Sequence, residues 1–124
     1  MRILKSKHFV RFMKDTGITN TDLREAVRQA EAGLIDADLG GGLIKQRIAR
    51  PNQGKSSGFR TILVFRTTDR SVFIYGFAKN SRANIRQDEL KALKVLAAEL
   101  LAYSEAQLNQ AIRKGALLEV RNDE

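Results

Sequence analysis

Ten lysines and arginines fall between positions 43 and 86: Lys45, Arg47, Arg50, Lys55, Arg60, Arg66, Arg70, Lys79, Arg82 and Arg86. They stand against one acid, Asp69. This segment carries a net +9 where the whole chain carries +8, so the two flanks together are near neutral. Guanidinium and ammonium groups grip phosphate oxygens and offset charge that builds on phosphorus. Basic charge confined to one segment is an electrostatic footprint for a polyanion, and a nucleic acid fits it better than an acidic protein. Other chemistries have little to work with. Without cysteine, disulfides and thiol catalysis are excluded. A single histidine, His8, makes a zinc site improbable, and no cofactor or metal is expected. His8 has no neighbour in sequence to orient it and is expected to be structural.

These residues need a scaffold, and 124 residues are enough for one domain with a real core over about residues 8–115 and a frayed tail at 121–124. No apolar run is long enough for a membrane span or a secretion signal, and a cytoplasmic location is expected. The alternation of Phe9, Arg11 and Met13 with Val10, Phe12 and Lys14 predicts a first strand within residues 1–15. After a turn at Gly17–Asn20, Leu23, Ala26, Val27, Ala30 and Leu34 follow helical spacing, with a start near Thr21 or Asp22 and a stop at Gly33. A further helical turn is expected over Leu34–Leu39, where Asp36 and Asp38 read as solvated acids rather than a metal pair. Gly40–Gly42 lacks the Lys-Ser/Thr of a nucleotide loop and reads as a hinge into a strand.

Three strands follow. In Leu43–Ala49, Leu43, Lys45 and Arg47 share one face. Phe59–Arg66 alternates in the same way beyond a polar loop at Arg50–Gly58, and a hairpin at Thr67–Arg70 leads into Ser71–Lys79. In that third strand Phe73, Tyr75 and Phe77 are assigned to one face and Val72, Ile74 and Ala78 to the other, with Tyr75 expected in the core. Asn84 and Gln87 suggest the cap of a helix carrying Leu90, Leu93, Leu96, Ala97 and Leu100. Ser104 and Gln107 suggest a second cap. Ala116–Val120 could form a short strand on a sheet edge.

The pattern from Leu34 to about Ile85, with IKQRI, then Gly58-Phe59-Arg60 opening a strand, then VFIYGFAKN, resembles the RelE/ParE superfamily of type II toxins, nearest its HigB-like members. The resemblance implies an α+β fold: a twisted antiparallel sheet of about four strands backed by helices, in the order β-α-(α)-β-β-β-α-α. It also implies a metal-independent endoribonuclease that cuts mRNA in the ribosomal A site, and a cognate antitoxin, expected to carry a DNA-binding domain. Arg60 matches the family's phosphate-clamping arginine. Lys45 and Arg47 match its basic pair, and Lys79 and Arg82 stand where its last basic catalytic group lies. Arg50, Lys55, Arg66 and Arg86 are expected to hold RNA around that point. The C-terminal tyrosine of the RelE pattern is absent from positions 80–88.

Cleavage of RNA through its own 2′-hydroxyl asks little of a protein. The chain must be held in line, the 2′ proton removed, the charge on phosphorus stabilised and the leaving 5′-oxygen protonated. The basic residues supply the charge term, and no general base is evident. Two alternatives keep the fold or the charge but change the function: a ParE-like inhibitor of DNA gyrase, and a basic nucleic-acid-binding module without catalysis.

Overall fold

A computed structural model describes the chain except residues 51–53, 83 and 122–124, and except the side chains of residues 50 and 54–57. The element order is β1 (Arg2–Ser6), α1 (Lys7–Thr16), α2 (Asn20–Glu31), β2 (Ala37–Gly40), β3 (Leu43–Arg50), β4 (Gly54–Arg66), β5 (Arg70–Ala78), α3 (Gln87–Ala102), α4 (Glu105–Arg113) and β6 (Leu117–Glu119). The strands form one sheet in the order β2-β3-β4-β5-β1-β6. Pairing is antiparallel except between β5 and β1, which run parallel with Arg2 beside Arg70 and Lys5 beside Phe73. The α+β class is as expected. The four-strand antiparallel sheet is not: six strands form a mixed sheet, with β2 and β6 at its edges.

The first departure lies at the N-terminus. The expected strand over Phe9–Lys14 is a helix, and the strand precedes it. The Ser6 hydroxyl accepts from the Phe9 amide at 3.0 Å and caps α1. Gly17, at φ 78°, ends it. Phe9 and Met13 are buried four residues apart with Phe12 beside them, while Lys7, His8, Arg11 and Lys14 face out. Six residues of alternation also satisfy this helical spacing, so the short pattern misled. In α2 the capping box is Thr19 with Asp22, one turn ahead of the expected Asp22 with Glu25. The helical turn expected over Leu34–Leu39 is instead a bend and β2. β2 turns into β3 through Gly40, Gly41 and Gly42, all at positive φ, and a Cβ on Gly42 would lie 2.5 Å from Leu101 Cδ1. The polar loop expected over Arg50–Gly58 is shorter, because β3 runs to Arg50 and β4 starts at Gly54. Arg86, rather than Asn84, occupies the cap position of α3, with its amide donating to Glu89 Oε1 at 2.8 Å. The Ser104–Gln107 capping box on α4 is as expected.

Each face of the sheet buries its own cluster. α1 and α2 cover one face through Phe9, Leu23 and Val27, packed on Ile44, Ile48, Leu63 and Phe73. α3 and α4 cover part of the other through Ala97, Leu100 and Leu108, packed on Leu43, Ile62, Val64 and Val72. β6 pairs with β1, so the C-terminal segment closes that edge within the chain. Buried side chains reach from Leu4 to Val120.

A bulge decides what the second face presents. Ile62 pairs with Tyr75, yet Leu63 pairs with Phe73, leaving Ile74 as the extra residue. Past it the alternation of β5 flips. Phe73 stays with the α1/α2 cluster, while Ile74, Tyr75 and Phe77 all join the α3/α4 side. The expected shared face of Phe73, Tyr75 and Phe77 is therefore broken, because strict alternation cannot carry across a bulge.

Candidate nucleic-acid interface

On the α3/α4 side the residue pairing builds two rows across three strands. Arg47 on β3 lies opposite Arg60 on β4, which lies opposite Phe77 on β5. One step along, Lys45, Ile62 and Tyr75 form the second row. Strand neighbours stand about 4.8 Å apart. Lys45 and Arg47 share a face as the alternation predicted, and the register of β3 with β4 brings Arg60 to them.

Arg60 is the unusual member. It is 3% exposed. Among the described residues its guanidinium has one long hydrogen bond, to the neighbouring Phe59 carbonyl at 3.5 Å, and a carboxylate 3.7 Å from Nε. Burial pulls its pKa down, the carboxylate raises it and Arg47 lowers it further. A buried guanidinium with so few partners holds donors in reserve for an anion.

That carboxylate belongs to Asp36, and it is not the solvated acid the sequence suggests. Its side chain is only 13% exposed. Oδ1 accepts from Arg47 Nε at 2.8 Å, and Oδ2 stands 3.7 Å from Arg60 Nε and 4.0 Å from Lys45 Nζ. Gln46 places it. This side chain is 2% exposed, accepts from the Asp36 amide at 2.9 Å, and donates to the carbonyls of Ala26 and Leu34 at 3.0 Å each. One buried amide thereby ties the middle of α2 and the approach to β2 onto β3. Asp36 comes beside the basic strand because Ala37 pairs with Lys45, in a β2 too short to show a period in the sequence.

On the β5 side a second group forms around Tyr75. Its hydroxyl donates to Glu89 Oε2 at 2.8 Å and accepts from Arg82 at 2.5 Å. Arg82 also donates to Glu89 Oε2 at 2.8 Å, and its guanidinium lies over the Tyr75 and Phe77 rings at 5.7 and 5.4 Å. Glu89 is held down at about 2, first by Arg82, then by the Arg86 amide and the Tyr75 hydroxyl. Tyr75 is pushed up, chiefly by burial and by its bond to Glu89. It therefore stays a protonated donor. The exposed His8 ring stacks on Tyr75, with centroids 6.3 Å apart and planes 4° from parallel. Tyr75 is only partly buried and is tied into a polar group at the edge of the basic face, not sealed in the core as expected. The bulge is what brings it there.

The remaining basic residues divide. Arg66 is six residues from Arg60 on the same strand, about 20 Å away. It pairs with Asp69 at 2.7 Å and donates to the Leu101 carbonyl at 3.2 Å. Arg70, 3% exposed, donates to the carbonyls of Leu100 and Tyr103 at 2.9 and 2.8 Å. Both satisfy the C-terminal carbonyls of α3, and the structure does not bring them to the Arg60 group. Lys79 follows β5, exposed, with its amide bonded to the Gly58 carbonyl near the start of the Arg60 segment. Among the described residues its side chain has no partner. Arg86 is exposed and pairs with Asp88 at 3.0 Å. The side chains of Arg50 and Lys55 lie outside the described residues. Among the described residues no group of histidines and acids could hold a metal ion, and no helix is long and apolar enough to cross a membrane.

The arrangement is a group of three cations on two strands around one carboxylate, flanked by a Tyr-Arg-Glu group and an exposed lysine. Compared with known families, residues 1–120 match the model described as RelE toxin of the RelE / RelB toxin-antitoxin system. The match extends well beyond the Leu34–Ile85 stretch that carried the resemblance. No curated protein matches the chain.

Proposed function

The chain belongs to the RelE toxin family of RelE/RelB toxin–antitoxin systems, and from that premise we propose that it is a ribosome-dependent mRNA endonuclease of the HigB-like branch. Membership makes it a type II toxin with a RelB-type antitoxin as cognate partner. Cleavage in the ribosomal A site, action in the cytoplasm and an antitoxin with its own DNA-binding domain are parts of the proposal.

The observation that carries it is the buried, under-partnered Arg60 beside Arg47 and Lys45. In the proposed reaction these cations bind the non-bridging oxygens of the scissile phosphate. Charge on those oxygens rises as the 2′-oxygen attacks and the P–O5′ bond breaks, so the clamp binds the transition state more strongly than the ground state. Lys79 and Arg82 stand at the other rim, where the 5′-oxygen leaves. Arg82 is engaged with Glu89 and Tyr75, so it serves as a fixed positive group. Lys79, exposed and without a side-chain partner among the described residues, delivers the proton. Of the carboxylates on this face, Asp36 is engaged by the cations and Glu89 by Arg82, so the 2′ proton passes to water or to a group of the ribosome that completes the site. Arg86 extends the basic track along the RNA, and Arg50 and Lys55 are assigned to RNA binding by their place in the basic segment of the sequence alone. Arg66 acts through its hold on α3.

Growth and mRNA ends after induced expression in a bacterial host test this, wild type beside Arg60→Ala. Removing one such donor costs about 10²–10³ in rate. Arrest with new, translation-dependent mRNA ends in the wild type alone is the expected result. Arrest with intact mRNA overturns the nuclease reading and points to a protein target such as gyrase. Soluble protein without arrest points to a binding module.

A further inference from the structure

We propose that Asp36 is a built-in counter-ion of the phosphate clamp, occupying the place of an RNA phosphate until one displaces it. The inference rests on the clamp reading above and adds a control on affinity to it. Three cations converge on this carboxylate, but only Arg47 hydrogen-bonds it. Arg60 Nε and Lys45 Nζ stop at 3.7 and 4.0 Å. A carboxylate that served only to brace a buried arginine would meet its donors directly, as Asp69 meets Arg66 and Arg70 at 2.7 and 2.9 Å. Arg60 is instead attracted and left short of bonds.

A phosphodiester presents two charged oxygens, as a carboxylate does, and fits the same donors. The two anions cannot share the clamp, because their charges would stand within a few ångströms of each other. The backbone under Asp36 is fixed by Gln46, so displacement is a side-chain rotation. The consequence is a threshold: stray polyanions must compete with an anion already in place. RNA presented in register, with further phosphates on Lys79 and Arg86, displaces it.

Fluorescence anisotropy with a short single-stranded RNA carrying 2′-O-methyl groups throughout tests this without cleavage. Asp36→Asn removes the charge and keeps the shape. It binds about tenfold tighter than wild type at low salt, and the salt slope steepens by about 0.7 as one more phosphate is neutralised. A brace predicts the reverse, since Arg60 would lose its support, so unchanged or weaker binding by a folded Asp36→Asn overturns the proposal. Arg60→Ala separates the two levels. Weaker binding there without tightening in Asp36→Asn removes the counter-ion alone; unchanged binding in Arg60→Ala removes the clamp reading itself. Wild-type protein gives a check that needs no variant. The Arg47 Nε–Hε NMR signal shifts on saturation with the RNA as its bond to Asp36 is lost, and a signal that stays in place contradicts displacement.

Discussion

Arg70 and Arg66 sit at opposite ends of one hairpin turn, share Asp69 and both reach α3, yet they should differ sharply in what they contribute. Arg70 is 3% exposed, and Nη1 satisfies two carbonyls at the end of α3, those of Leu100 and Tyr103. Its Nε donates to Asp69 Oδ2 at 2.9 Å. Replacing it with methionine keeps much of the volume but removes all of these donors. Each buried carbonyl left without a partner costs about 1–3 kcal/mol. Asp69 retains Arg66, and the arginine's own desolvation is relieved, which offsets part of the loss. The two carbonyls together lose about 2–6 kcal/mol, and the offset leaves a net of about 2–4 kcal/mol. At this length 1 kcal/mol moves Tm by roughly 3–5 °C, so Arg70→Met should melt about 6–20 °C below wild type. The side chain of Arg66 is 41% exposed, and exposed ion pairs contribute less than about 1 kcal/mol. Urea unfolding of the two variants, with equal m-values, measures both. A loss below 1 kcal/mol for Arg70→Met, or equal losses for the two, would refute the division between a buried helix clamp and a surface pair.

Three further outcomes follow from the same geometry. A Cβ on Gly76 would meet three carbons of the Phe12 ring at 2.3–2.9 Å, so Gly76→Ala should cost about 1–3 kcal/mol by urea unfolding. Gly42→Ala forces a side chain to φ +84° and against Leu101; it should cost about 1–3 kcal/mol in the same assay. Glu89 has its folded pKa depressed to about 2, so its contribution is present above the usual carboxylate range and is lost as pH falls through about 2. Carboxyl NMR should therefore find Glu89 ionised across the neutral and mildly acidic range, and Arg82→Ala should move its titration up toward ordinary glutamate.

Much of the basic face was legible because β3 and β4 alternate strictly. Lys45 and Arg47 could be set on one face from period two alone, and the paired register then joined Arg60 to them. What escaped depended on partners far along the chain. Asp36 is placed by Gln46, ten residues on, and through it by Ala26. Arg70 finds its acceptors 30 and 33 residues later, so its charge looked like part of the RNA footprint. Tyr75 shares a face with Phe77 as expected but not with Phe73, because a bulge leaves no mark in local alternation. β2 is four residues with a glycine, too short to show a period, and α1 is amphipathic over a stretch where helix and strand spacings coincide. The misses at Asp36, Arg70 and Tyr75 are cases of tertiary pairing overriding a local pattern, while those at β2 and α1 come from segments too short for one period to decide.

The central claim is that this clamp cuts RNA through the RNA's own 2′-oxygen. Purified protein, an mRNA and translating ribosomes test it directly, with the new ends identified chemically. The account predicts 5′-hydroxyl ends paired with 2′,3′-cyclic or 3′-phosphate ends, absent with Arg60→Ala and absent when the nucleotide 5′ of the cut is 2′-deoxy. Cleavage that leaves 5′-phosphate ends, or that survives loss of that 2′-hydroxyl, would contradict it.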